Sequence, residues 1–122
     1  MSKNIIVVGG GAAGMLAAYF AAEAGNKVAL LEKNEKLGKK IYITGKGRCN
    51  LTNACDVEEL FLNVKSNSKF LYSAFYGFDN SQVIAFFEKH GMPVKVERGN
   101  RVFPVSDKSS DVIFALQRAL KE

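Results

Sequence analysis

An α/β fold that opens on a parallel strand–helix–strand unit is the class this sequence predicts, and three observations predict it. A short apolar run, Ile5-Ile6-Val7-Val8, stops at Gly9-Gly10-Gly11-Ala12-Ala13-Gly14. A stretch rich in small residues then runs from Ala12 to Glu23, with Gly25 beyond it as a helix stop. A second apolar run, Val28-Ala29-Leu30-Leu31, follows and ends in the acid Glu32. Four-residue apolar runs bounded by glycine or charge read as strands, and two of them joined by one helix read as a parallel crossover.

The glycines of the first turn have separate uses. Gly9-x-Gly11-x-x-Gly14, set between a strand and a helix, is the dinucleotide-binding fingerprint. Gly9 lets the chain turn sharply, Gly11 leaves room for a pyrophosphate to approach the backbone, and Gly14 lets the helix lie close to the strand. The first helical turn, from Ala12 and Ala13 onward, presents unpaired N–H groups and the positive end of its dipole to the phosphates. Ala18, four residues past Gly14, keeps the sheet-facing side of the helix small. Glu32 stands eighteen residues past Gly14, at the tip of the second strand. A carboxylate there accepts hydrogen bonds from an adenosine ribose and repels a 2′-phosphate, which disfavours NADP. The alternative is a packing unit whose glycines serve no ligand. NAD and FAD share an adenosine diphosphate half, so the unit by itself does not choose between them.

Bulk properties narrow the class. The chain has 122 residues, 48% apolar and 24% charged, which is an ordinary globular composition for one domain. No apolar stretch is long enough to span a membrane, and the first strand begins too early to leave room for a secretory leader. Cys49 and Cys55 make neither a disulfide framework nor a zinc pattern, so a cytoplasmic setting is expected. The net charge of +5 is uneven. Lys33, Lys36, Lys39, Lys40, Lys46 and Arg48 face the single acid Glu35 across one stretch. A solvated basic loop accounts for most of them, and a positive rim for an anionic ligand is the functional reading. Only Tyr42 interrupts this charge with an aromatic ring, so nucleic acid is not the expected partner.

Further along, Asn34 to Ala54 reads as a long loop with one apolar interruption, Ile41-Tyr42-Ile43. Long loops in compact domains are usually functional. Asp56 opens a short helix with Glu59 at the capping-box position and Leu60, Phe61 and Val64 on its apolar side. A second helix is expected over Lys69 to Tyr76. A third is expected over Ser81 to His90, with Val83, Ile84, Phe86 and Phe87 inward, Gly91 as its stop and His90 as a structural residue at its end. Pro93–Glu97 and Arg101–Phe103 read as strands joined at Gly99-Asn100. Candidate caps from Ser106 to Asp111 precede a last helix with Val112, Ile113, Leu116 and Leu120 as its stripe.

Three blocks together resemble a known family. They are Val8 to Gly14, Gly38 to Asn53 with its Gly47-Arg48-Cys49-Asn50-Leu51-Thr52-Asn53 core, and Arg101 to Asp111 with Arg101-Val102-Phe103-Pro104-Val105-Ser106-Asp107-Lys108. The sequence resembles the aminoacetone-oxidase-like, or bile-acid-inducible N (BaiN)-like, FAD-dependent oxidoreductases, flavoproteins with two dinucleotide-binding domains. The resemblance covers nearly the whole chain. It implies that residues 1–122 are the N-terminal part of a Rossmann-like FAD-binding domain, without the inserted substrate domain and C-terminal return of longer family members. An open partial sheet of that kind is expected to self-associate.

FAD is the cofactor the resemblance implies. The loop Thr44-Gly45-Lys46-Gly47-Arg48-Cys49-Asn50 resembles the one that runs along FAD towards its ring system in such enzymes. Gly45 and Gly47 would allow backbone approach, Thr44 and Asn50 would hydrogen-bond the cofactor, and Arg48 would add charge-assisted donors. Lys33, Lys39 and Lys40 would line the adenosine and pyrophosphate side. The expected partners are a small redox substrate and NAD(P)H as electron donor. Rival readings are an NAD-dependent dehydrogenase and a truncated, non-catalytic nucleotide-binding module. Cys49 and Cys55 lack the spacing of a flavin-linked redox dithiol, so Cys49 reads as a quiet packing residue. No residue of the chain presents itself as a catalytic acid or base.

Overall fold

Residues 1–122 are described by a computed structural model. Strand β1 (Asn4–Val8) pairs in parallel with β2 (Lys27–Leu31), in register from Asn4 opposite Lys27 to Val8 opposite Leu31. The crossover between them is α1 (Ala12–Glu23). Gly25 ends it with φ +91° and donates its N–H to the Ala22 carbonyl at 2.9 Å. Inward residues alternate with outward ones along both strands, as pleating requires. Ile5, Val7, Val28 and Leu30 are half-buried, whereas Ile6, Val8 and Leu31 stand exposed.

The stretch expected to be a long loop contains more order than its composition suggests. It holds α2 (Lys39–Ile43), a 3-10 turn over Thr44–Gly47 and the short strand β3 (Thr52–Asn53). Tertiary contact supplies what local propensity lacks: the Ser109 hydroxyl donates to the Tyr42 carbonyl at 2.6 Å, and Ile41 is buried in the core.

The next helices are α3 (Val57–Leu62) and α4 (Tyr72–Gly77), the latter preceded by a 3-10 turn over Ser68–Leu71. The capping box expected at Asp56 and Glu59 does not form, because the Asp56 side chain makes no cap hydrogen bond. A complete box stands instead at α5 (Asn80–Lys89), where Asp79 accepts the Gln82 N–H and the Gln82 side chain accepts the Asp79 N–H. The hairpin of β4 (Val94–Glu97) and β5 (Arg101–Pro104) turns on Gly99 and Asn100, both with positive φ. Strand β5 is the middle of a three-stranded antiparallel sheet with β3 on its other side. The last helix is α6 (Ser109–Leu120). Its N-cap is Lys108, and none of the expected cap side chains bonds its first turn.

The core lies where α1, α5 and α6 meet. Met15, Phe86, Phe87, Val112, Ala115 and Leu116 are buried there. Tyr19 meets Phe86 edge to face at 5.1 Å. His90, at the end of α5, is buried and structural as expected, with Nδ1 2.8 Å from the Phe86 carbonyl.

Candidate nucleotide-binding site

The glycine turn joins the C-terminal tip of β1 to the N-terminus of α1. Gly9 has φ +104°, backbone that favours glycine, and its N–H donates to the Leu31 carbonyl at 2.7 Å. A Cβ on Gly14 would overlap the Gly9 carbonyl, so helix and strand approach as closely as they do only because Gly14 has none. At Gly11 the case is reversed, since an added Cβ would meet nothing within 4 Å. That space is open. The first main-chain bond of α1 runs from the Met15 N–H to the Gly11 carbonyl at 2.9 Å, so the N–H groups of Ala12, Ala13 and Gly14 precede the helical ladder.

Glu32 does more than stand at the strand tip. Its Oε1 accepts the Gly10 N–H at 2.8 Å and its Oε2 accepts the Asn34 N–H at 2.7 Å. Those two donors, Asn34 first, hold its carboxyl below the usual carboxylate range. Each oxygen keeps acceptor capacity for a further donor. The Gly38 N–H donates to the Gly10 carbonyl at 2.8 Å, which brings the start of α2 over the glycine turn. Gly38 has φ +71°, and a Cβ there would press on Ile113 of α6 at 2.8 Å.

These elements enclose a cleft of about 730 Å³. Of the residues expected at the site, Gly9, Gly11, Ala12, Ala13 and Gly14 form one wall, and Glu32, Lys33, Lys39, Lys40 and Thr44 form the other. The chain's ion pairs engage Arg48, Lys95 and His90, which leaves Lys33, Lys39 and Lys40 unpaired on the rim. The wall also includes Asn34 and Ile41, which the sequence did not single out. A residue recruited by a chain reversal carries no local motif.

Gly45, Gly47, Arg48 and Asn50 are not brought to the cleft wall. The Arg48 guanidinium turns to the antiparallel sheet, bonding Glu97 at 2.5 Å and Asp107 at 2.7 Å and lying 3.9 Å over the Phe103 ring. Asn50, with its amide oriented to donate, reaches the carbonyls of Thr52 at 3.0 Å and Val102 at 3.3 Å. The Thr44 hydroxyl donates to the Ile41 carbonyl at 2.7 Å. Cys49 is buried and Cys55 half-buried, and both are free thiols.

A parallel βαβ opening with this glycine turn and an acid at the tip of β2 defines a Rossmann-type nucleotide-binding domain. Residues 3–122 match the HI0933-like protein Rossmann domain, and the chain belongs to that family. It is 34% identical over 121 residues to a 3-dehydro-bile acid delta(4,6)-reductase of Clostridium scindens, covering 98% of this chain and 29% of that protein. It is 38% identical over 89 residues to a ribosomal RNA dihydrouridine synthase of Escherichia coli, covering 73% of this chain and 22% of that one. A shorter match, 51% identical over 39 residues, is to an L-amino-acid oxidase of Naja atra and covers 32% of this chain and 8% of the oxidase. The chain thus spans less than a third of the length of these relatives. No helix is long and apolar enough to cross a membrane.

Proposed function

We propose that this chain is the FAD-binding part of a flavin-dependent reductase acting on a carbon–carbon double bond conjugated to a carbonyl. The open space at Gly11, faced by the first turn of α1 and by three unpaired lysines, carries the cofactor reading, since it suits a large dianionic pyrophosphate. Glu32 accepts the adenosine ribose hydroxyls with the lone pairs its two backbone donors leave free. Lys33, Lys39 and Lys40 screen the phosphate charge. Thr44, the one residue of the Thr44–Asn50 segment on the cleft wall, would face the cofactor beyond the pyrophosphate. When bound, FAD supplies two-electron chemistry, taking a hydride equivalent from a donor of the NAD(P)H class and delivering it to an acceptor.

The substrate class is supported by two of the relatives that match over most of the chain, the bile acid reductase and the dihydrouridine synthase. A 4,6-unsaturated 3-oxo steroid and a uridine ring each carry a double bond conjugated to a carbonyl. Reduction adds a hydride to the carbon distal to the carbonyl and a proton to its neighbour, and the nicotinamide donor is oxidised. No residue of 1–122 is assigned as the proton donor.

Amine oxidation is the second reading, favoured by the match to the amino-acid oxidase. That match is confined to about a third of the chain, and flavoproteins of many activities share a nucleotide-binding opening. The test is to purify the intact protein, record flavin absorbance at about 450 nm, and mix it anaerobically with NADH or NADPH and a panel of enones, enoates and uridine. Reoxidation of the flavin by such acceptors supports the proposal. Absence of flavin would remove it, and oxygen consumption with amines alone would favour the second reading.

A further inference from the structure

We propose that Arg48 is a positioning residue, latched across the fold by Glu97 and Asp107 so that the Thr44–Asn50 loop, whose first residue lines the cofactor cleft, keeps its shape. This rests on the FAD reading above for its functional consequence, though not for its structural one.

The loop is a sequence of unfavourable backbone choices. Gly45, Lys46, Gly47 and Cys49 all have positive φ, and two of the four are not glycine. Such a segment persists only where its surroundings hold it. Its own backbone provides two short-range bonds, Arg48 N–H to the Gly45 carbonyl and Cys49 N–H to the Thr44 carbonyl, each at 3.1 Å. Cys49 is buried in the core and the Asn50 amide reaches the Thr52 and Val102 carbonyls, while the side chain of Arg48 ties the loop to two distant carboxylates. Its Nη2 reaches Glu97 of β4, and its Nε donates to Asp107 at 2.9 Å, beyond the end of β5.

Lys95 closes the network from the other side, 2.8 Å from Asp107 and 3.2 Å from Glu97. Two cations and two carboxylates therefore alternate, and the Phe103 ring lies beneath the guanidinium. Asp107 also sits on left-handed backbone, with φ +61°. The network thus ties two strained turns together. The four side chains are 30–42% exposed, so their effect on global stability is small. What a planar guanidinium held between two carboxylates fixes well is geometry.

The experiment compares Arg48→Met, Arg48→Lys, Glu97→Gln and Asp107→Asn in the intact protein. Amide hydrogen exchange is read without added cofactor, and FAD dissociation constants are read by titration. Arg48→Met and Asp107→Asn are each expected to speed exchange over residues 44–50 by about tenfold or more while β1 and α1 stay unchanged. FAD binding is expected to weaken in both, with Arg48→Lys and Glu97→Gln between them and the parent. If Asp107→Asn leaves exchange and affinity at parental values while Arg48→Met weakens FAD binding, Arg48 acts on the cofactor directly and the latch is overturned. Faster exchange spread evenly over the chain overturns it too. A parent that binds no FAD would sink the cofactor reading, and the loop exchange would still decide the latch.

Discussion

The Glu32 carboxylate is bonded to the main chain of Gly10, its Oε1 accepting that N–H at 2.8 Å from across the parallel strand pair. The residue expected to read the ribose is therefore also a brace for the glycine turn proposed to receive the pyrophosphate. Its second oxygen holds Asn34, so one side chain joins both walls of the cleft.

Replacing Glu32 should then weaken FAD binding through two routes. In the intact protein Glu32→Gln keeps one acceptor oxygen and is expected to raise the FAD dissociation constant by about tenfold, and Glu32→Ala by more. Isothermal titration reads this directly. An unchanged constant for Glu32→Ala would show that the ribose lies elsewhere.

Two glycines of the fingerprint should fail differently. Gly11→Val places its side chain in open space, so folding should survive while FAD retention is lost. Gly14→Ala collides with the Gly9 carbonyl and must push α1 off β1, which is expected to cost about 1–3 kcal/mol of stability. Denaturant unfolding and flavin stoichiometry, measured on both variants, separate the two effects.

Acid should destabilise the fold through identifiable carboxylates. Arg48 and then Lys95 hold Glu97 below the usual range, Lys95 and then Arg48 do the same for Asp107, and backbone donors do so for Glu32. A depressed folded value means that their stabilisation is complete above the unfolded carboxylate range of about 4 and is lost as pH falls through the lower folded value. Unfolding midpoints recorded from neutral pH downward should decline below about pH 4, and Asp107→Asn should flatten that decline. An equally steep decline in the variant would show that Asp107 contributes nothing to it.

Asn80 is a structural anchor that no motif announces. It is buried at 6% exposure, and its Nδ2 donates to the carbonyls of Asn53 and Cys55 at 2.6 Å each. Asn80→Leu should leave both carbonyls unsatisfied and cost about 1–3 kcal/mol, with thermal unfolding as the measurement. By contrast, Cys49→Ala and Cys55→Ala in the intact protein should keep most of the flavin turnover, since neither thiol is paired.

Residues 1–122 produced by themselves should self-associate and bind FAD weakly. The two-stranded parallel sheet has both edges unpaired and exposes Ile6, Val8 and Leu31 on one face. Sedimentation velocity of the parent chain and of an Ile6→Lys, Val8→Glu variant should show association reduced in the variant. A monomeric parent that copurifies with a full equivalent of FAD would overturn this expectation.

What the sequence by itself determined is what depends on short spacing. The turn from Gly9 to Gly14, the crossover α1, the acid at the tip of β2 and the hairpin at Gly99-Asn100 all follow from residues within a few positions of one another, where steric limits on φ and ψ act directly. Most element ends drifted by only a residue or two, the helix expected from Lys69 starts as a 3-10 turn and becomes α-helical at Tyr72, and the capping box stands at Asp79 rather than Asp56 because a capping pattern does not guarantee the cap geometry. Tertiary structure alone decided the rest. Arg48 bonds Glu97 and Asp107, 49 and 59 residues away, and Asn80 reaches back 27 and 25 residues to Asn53 and Cys55. Helix α2 orders under α6 through Ser109 and Ile113. A basic side chain in a glycine-rich loop has many possible anions within reach, and only the packing of the antiparallel sheet against that loop selects which carboxylates it meets.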